Sequence, residues 1–194
     1  MVEISKMDEM DLDDIQSEVE TWLQWNYNPL LNWEVPQQHH DTFASLAAIV
    51  EECGELVEAV TDTTIRDVKA LRELEDAVGD IMIACIAYCS NEQLNVSEIF
   101  ADRGNKKLEA NPANLLIALS RLSRATLKGK VQYPMRHDEY QKKAIKALKE
   151  IFLWLEFTIP ADSIIELTHK SWQDVRCRVY GPNHGTIDPY KWRT

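Results

Sequence analysis

Apolar residues recur along this chain at helical spacing, and the period-two alternation that marks a half-buried strand is nearly absent. Leu, Ala, Glu and Lys fill the periodic stretches, and only 6 of 194 residues are glycine. The pattern predicts an all-α fold. A first helix is expected from about Asp11 to Tyr27, with Ile15, Val19, Trp22 and Leu23 on one stripe. "NPLLNWEVPQQHH", broken by Pro29 and Pro36, reads as a loop. A second helix, capped by Asp41 or Thr42, is expected to run to about Val60. Its stripe is Phe43, Leu46, Ala47, Val50, Cys53, Val57 and Val60. The third, about Val68 to Ser90, ends in "IMIACIAYC", which is apolar all round and so predicts the buried centre of the fold. A fourth is expected from about Val96 to Leu108.

Pro112 opens a second set of helices. One runs to about Lys128, a loop "GKVQYPMRHD" follows, a long helix reaches about Thr158, and a last one reaches about Tyr180. The expected organisation is a first unit over 1–111, a second helical unit over 112–180 packed on it, and a loop-like tail over 181–194.

Charge divides at the same place. Residues 1–111 carry 7 Lys+Arg against 24 Asp+Glu, and residues 112–194 carry 14 against 8, for a net charge of −11. An acidic total disfavours nucleic-acid binding, which needs phosphate neutralisation. No apolar run reaches the roughly 18 residues of a membrane span. The acidic N-terminus, "MVEISKMDEMDLDD", does not read as a secretory signal, so a cytoplasmic location is expected. Cys85 and Cys89 lie one turn apart in the apolar run, where a thiolate metal site competes with the commoner role of cysteine as a small buried hydrophobe.

The acidic residues of the first unit are not spread evenly. At about 100° per residue, Glu51, Glu52, Glu55 and Glu58 fall within about 120° of one another on the second helix. Glu73, Asp76 and Asp80 share a narrower face of the third, while Glu75 points away. If the two helices pack antiparallel, the patches meet. Carboxylates converging beside a core repel one another, and a hard divalent cation relieves that repulsion. Glu58 and Glu73, at the edges of their patches, are expected to face solvent. The alternative for each patch is a solvated acidic helix face.

Glu51-Glu52-Cys53-Gly54-Glu55 is an EExxE motif, followed 25 residues after Glu51 by Asp76-Ala77-Val78-Gly79-Asp80 leading into an apolar helix. Over about residues 11–108 this resembles the MazG-like all-α nucleoside triphosphate pyrophosphohydrolases, whose signature is EExxE, a spacer, then ExxD. One departure is plain: the family's glutamate falls at Ala77, and Asp76 stands one residue earlier, still on the face of Asp80.

The resemblance implies a helical bundle of the MazG-like type. It implies Mg²⁺-dependent hydrolysis of a (deoxy)nucleoside triphosphate between the α and β phosphates, with Mn²⁺ as a substitute. Glu52, Glu55, Asp76 and Asp80 would hold the metal, and Glu51 would orient or deprotonate the attacking water. Asn105 and Lys107, with Lys106, would hold phosphate; the other reading of these residues is a basic end of a helix. Trp25 and Asn28 would border the base. A purine deoxynucleotide such as dGTP is the expected substrate, with dUTP, dCTP or a broad house-cleaning range as alternatives. The chain would act as a homodimer or homotetramer, with no nucleic acid and no membrane as partner. A reading of a different class is a non-enzymatic helical interaction module whose acidic patch meets a basic partner.

The second unit can be aligned on the first. "VEECGELVEAV" matches "LSRLSRATLKG" and "DAVGDIMI" matches "KALKEIFL", setting Arg121 against Glu52, Arg124 against Glu55, Lys146 against Asp76 and Glu150 against Asp80. This reads as two pseudo-repeats of about four helices each, the second of which has exchanged carboxylates for basic residues. Arg121 and Arg124 are then further phosphate-binding candidates, since guanidinium forks suit phosphate.

Overall fold

The computed structural model describes residues 10–27, 37–61, 68–104 and 111–176. Every regular element among them is helical: α1 (Leu12–Tyr27), α2 (Gln37–Thr61), α3 (Val68–Asn91), α4 (Val96–Ala101), α5 (Pro112–Leu127), α6 (His137–Thr158) and α7 (Ala161–Arg176). A π-helical turn, Lys128–Gln132, and a 3-10 turn, Pro134–Arg136, join α5 to α6, so that connection is wound rather than an open loop. No helix among the described residues is long and apolar enough to cross a membrane.

The centre is α3, as its apolar second half requires: Val78, Ile81, Met82, Cys85, Ile86 and Cys89 are fully buried. It packs on α2, α1 and α7. Two side-chain bonds fix the direction of α2. Thr42 Oγ1 donates to Glu92 Oε1 (2.7 Å), and Asn91 Nδ2 donates to Ser45 Oγ (3.0 Å). The start of α2 therefore meets the end of α3, and the two run antiparallel. α5 and α6 form a second antiparallel hairpin, with Trp154 Nε1 donating to the Asn111 carbonyl (3.1 Å) at one end and Gly129 against Tyr140 at the other. Trp172 of α7 closes on α1, its ring edge-on to Trp22 and its Nε1 donating to Glu18 (2.7 Å).

Local chemistry explains most boundaries. Asn95 caps α4 and Asn111 caps α5, each accepting from a backbone N–H of the first turn, and Pro112 fills a first-turn position of α5 where no N–H is needed. α4 is shorter than expected, ending at Ala101 rather than Leu108; Gly104, at φ +84°, turns the chain out of the helix. α2 begins at Gln37, ahead of the expected cap, because nothing between Pro36 and Asp41 interrupts a helix. Thr42 is thus no cap; it is fully buried and bonded to Glu92.

The stripe of α2 is also rotated from the expected one. Leu46, Ile49, Cys53 and Leu56 are buried, whereas Ala47 is exposed, as are Val50 at 45% and Val60 at 36%. Apolar residues occupy neighbouring positions at 46–47, 49–50 and 56–57, so periodicity alone left two faces open, and packing on α3 selected one.

Candidate functional site

The antiparallel pairing of α2 and α3 brings their acidic residues to one cleft of about 760 Å³. Glu55, Glu58, Ala59 and Thr61 line it from α2, and Glu73, Asp76, Ala77 and Asp80 line it from α3. Glu55, Asp76 and Asp80, carboxylates of both expected patches, thus line one cleft. Glu58 and Glu73 line the cleft as well, and both are exposed, as expected.

Glu51 is exposed and Glu52 half-buried, and neither lines the cleft. Register places Glu52 close by. Counting inward from the Thr42–Glu92 bond brings Glu52 level with Met82, roughly half a turn from Asp80.

Asp76 has a cationic neighbour that local sequence did not suggest: Lys170 Nζ of α7 donates to its Oδ1 at 3.1 Å. The packing behind the cleft explains how α7 comes so close. A Cβ at Gly79 would stand 2.2 Å from Ser171 Oγ and 2.8 Å from the Leu167 carbonyl, so only glycine lets α7 lie this near α3. The glycine of "DAVGD" thus serves helix approach. Gly54 does not: a Cβ there meets nothing within 4 Å.

The donors facing the cleft are carboxylate oxygens, the type that Mg²⁺ and Mn²⁺ take. As the side chains stand, no three His, Cys, Asp or Glu groups among the described residues lie close enough together to hold an ion. Glu55, Glu58, Glu73 and Asp76 are exposed, and Asp80 is half-buried. The donor set fits the metal in kind, and convergence would accompany its binding.

Cys85 and Cys89 are buried in the core, and burial pushes both thiols well above their ordinary range. Cys53, beside them, is pushed up to about 12 by burial and by Glu52.

Arg121 and Arg124 lie on the other hairpin, in a separate cleft of about 300 Å³ between α5 and α6. Arg121 pairs with Glu150 at 2.6 Å. Asn28, Asn105, Lys106 and Lys107 lie outside the described residues, as do the side chain of Trp25 and the tail from 181. No protein-family model, curated protein or solved structure matches the chain.

Proposed function

We propose that this protein is a divalent-metal-dependent (deoxy)nucleoside triphosphate pyrophosphohydrolase of the MazG-like kind. The observation that carries the reading is the shared cleft: acids of the EExxE helix and of the DxxxD segment, drawn from two helices, line one concavity.

In this reading Glu55, Asp76 and Asp80, with Glu52 beside them, would hold Mg²⁺ or Mn²⁺, and the ion would supply positive charge to the phosphates. Water attacks the α phosphorus, the bond from that phosphorus to the α–β bridging oxygen breaks, and pyrophosphate leaves. A carboxylate accepts the proton of the attacking water: Glu51 by the resemblance, Glu58 or Glu73 by position in the cleft. Lys170, already beside Asp76, is placed to meet phosphate once a metal takes that carboxylate. A purine deoxynucleotide such as dGTP is the proposed substrate, and a cytoplasmic homodimer or homotetramer the proposed form.

Thermal melting tests the metal site directly. Mn²⁺ at 100 times its dissociation constant should stabilise the wild type by about 2.7 kcal/mol. Glu55→Gln and Asp80→Asn should abolish that shift while leaving the metal-free melt unchanged or higher, because repulsion is relieved. A shift of the same size in both variants would move the site elsewhere.

A further inference from the structure

The α5–α6 hairpin carries a cleft of its own. Arg121, Arg124 and Lys128 of α5 and the following turn face Lys143 and Lys146 of α6 across a floor that includes the Tyr140 ring. Five cations thus surround about 300 Å³ in a chain whose net charge is −11. Among the described residues carboxylates answer two of them, Glu150 for Arg121 and Glu139 for Lys143. Among the described residues no carboxylate pairs with Arg124, Lys128 or Lys146.

Surface lysines ordinarily point apart into water. Here they rim a concavity with an apolar base: Tyr140 is 7% exposed, Ala147 is 1% exposed, and Tyr133 stacks on the Tyr140 ring at 6.0 Å. Lys143 Nζ lies 4.5 Å from the centroid of that ring while it also pairs with Glu139 at 2.6 Å. The cleft also occupies the position of the acidic one. On the alignment of the halves, Arg124, Lys128, Lys143 and Lys146 stand for Glu55, Ala59, Glu73 and Asp76, all of which line the acidic cleft. The same concavity therefore occurs twice with opposite charge.

We propose that this basic cleft is an oligophosphate-binding site that works without metal. Two guanidinium forks one helical turn apart suit adjacent phosphoryl groups, and three ammonium groups add charge around them. The cleft is at the small end for an organic ligand, which favours a di- or triphosphate group over a whole nucleotide. Two sources carry that chemistry, inorganic oligophosphate and the phosphate chain of a nucleotide.

Titration calorimetry in EDTA separates this site from the acidic cleft, whose phosphate binding would need a metal. Inorganic tripolyphosphate should bind the wild type. The double variant Arg124→Gln/Lys146→Gln should bind at least about tenfold more weakly, the loss of about 1.4 kcal/mol expected for two charge-assisted contacts. Lys142→Gln, an exposed lysine on α6 outside the cleft, should bind as the wild type does. A dNTP that binds no tighter than tripolyphosphate identifies the phosphate chain itself as ligand; one that binds tenfold tighter assigns the nucleoside to the Tyr140 floor. Absence of binding at millimolar tripolyphosphate, or equal affinity in the double variant, overturns the proposal. Because metal is chelated throughout, either result leaves the pyrophosphohydrolase reading to its own test.

Discussion

Three thiols show how far one residue's chemistry follows from burial. Cys53, Cys85 and Cys89 are held neutral in the fold, with Cys53 raised from 9.0 to about 12. A raised thiol pKa contributes stability that is complete below the unfolded value and is lost as pH rises above about 9, where the unfolded chain ionises and the folded one does not. Each buried thiol should add about 1.4 kcal/mol per pH unit to that loss. Urea unfolding between pH 9 and 10.5 should therefore show a smaller pH slope in Cys85→Ala than in the wild type. Equal slopes would mean that the thiol reaches solvent. Burial of these cysteines was legible in the sequence, because "IMIACIAYC" leaves a helix no polar face. Lys170 was not legible: it meets Asp76 across 94 positions of chain, and no local pattern encodes such a pairing.

Helices were legible as elements, and their packing faces less so. The apolar stripe of α1 and the buried second half of α3 emerged where expected, the first from one contiguous apolar face and the second from a segment apolar all round. α2 offered two, and contact with α3 buried Ile49 in place of Val50. The two helix-interior glycines separate packing from propensity. Gly79→Ala should destabilise by about 1–3 kcal/mol, because its Cβ meets the Leu167 carbonyl, a backbone atom that cannot swing aside. Gly54→Ala should stabilise by about 0.5–1 kcal/mol, since it removes chain entropy and meets nothing. Denaturant midpoints for both variants check the pair; a stabilised Gly79→Ala would contradict the close approach of α7.

At the scale of the molecule, one buried carboxylate ties the two hairpins together. Glu92 is 6% exposed, accepts from Thr42 of α2, and pairs with Lys130 of the π-helical turn at 2.9 Å. Its backbone carbonyl accepts from Gln141 of α6 (3.0 Å), and nearby Tyr88 bonds Thr126 of α5 (2.8 Å). Glu92→Ala strands Lys130, whose side chain is 15% exposed, and should cost about 3 kcal/mol, most of which Glu92→Leu/Lys130→Met should recover. A single-variant loss under about 1 kcal/mol would mean that the hairpins are joined chiefly by other contacts. The sequence indicated two acid-bearing helices and a basic second half, but not this junction, because Glu92 has no motif around it.

The central claim is that the cleft between α2 and α3 performs metal-dependent phosphoanhydride hydrolysis. Its most direct test is a panel of dNTPs with Mg²⁺ or Mn²⁺ and detection of pyrophosphate. The account predicts pyrophosphate together with the nucleoside monophosphate for at least one dNTP, dGTP foremost. It also predicts no product in EDTA and a loss of more than about 100-fold in Asp80→Asn, a ligand position more sensitive than the groups that merely support ligands. Absence of pyrophosphate from every dNTP with either metal would contradict it, as would turnover unchanged in Asp80→Asn.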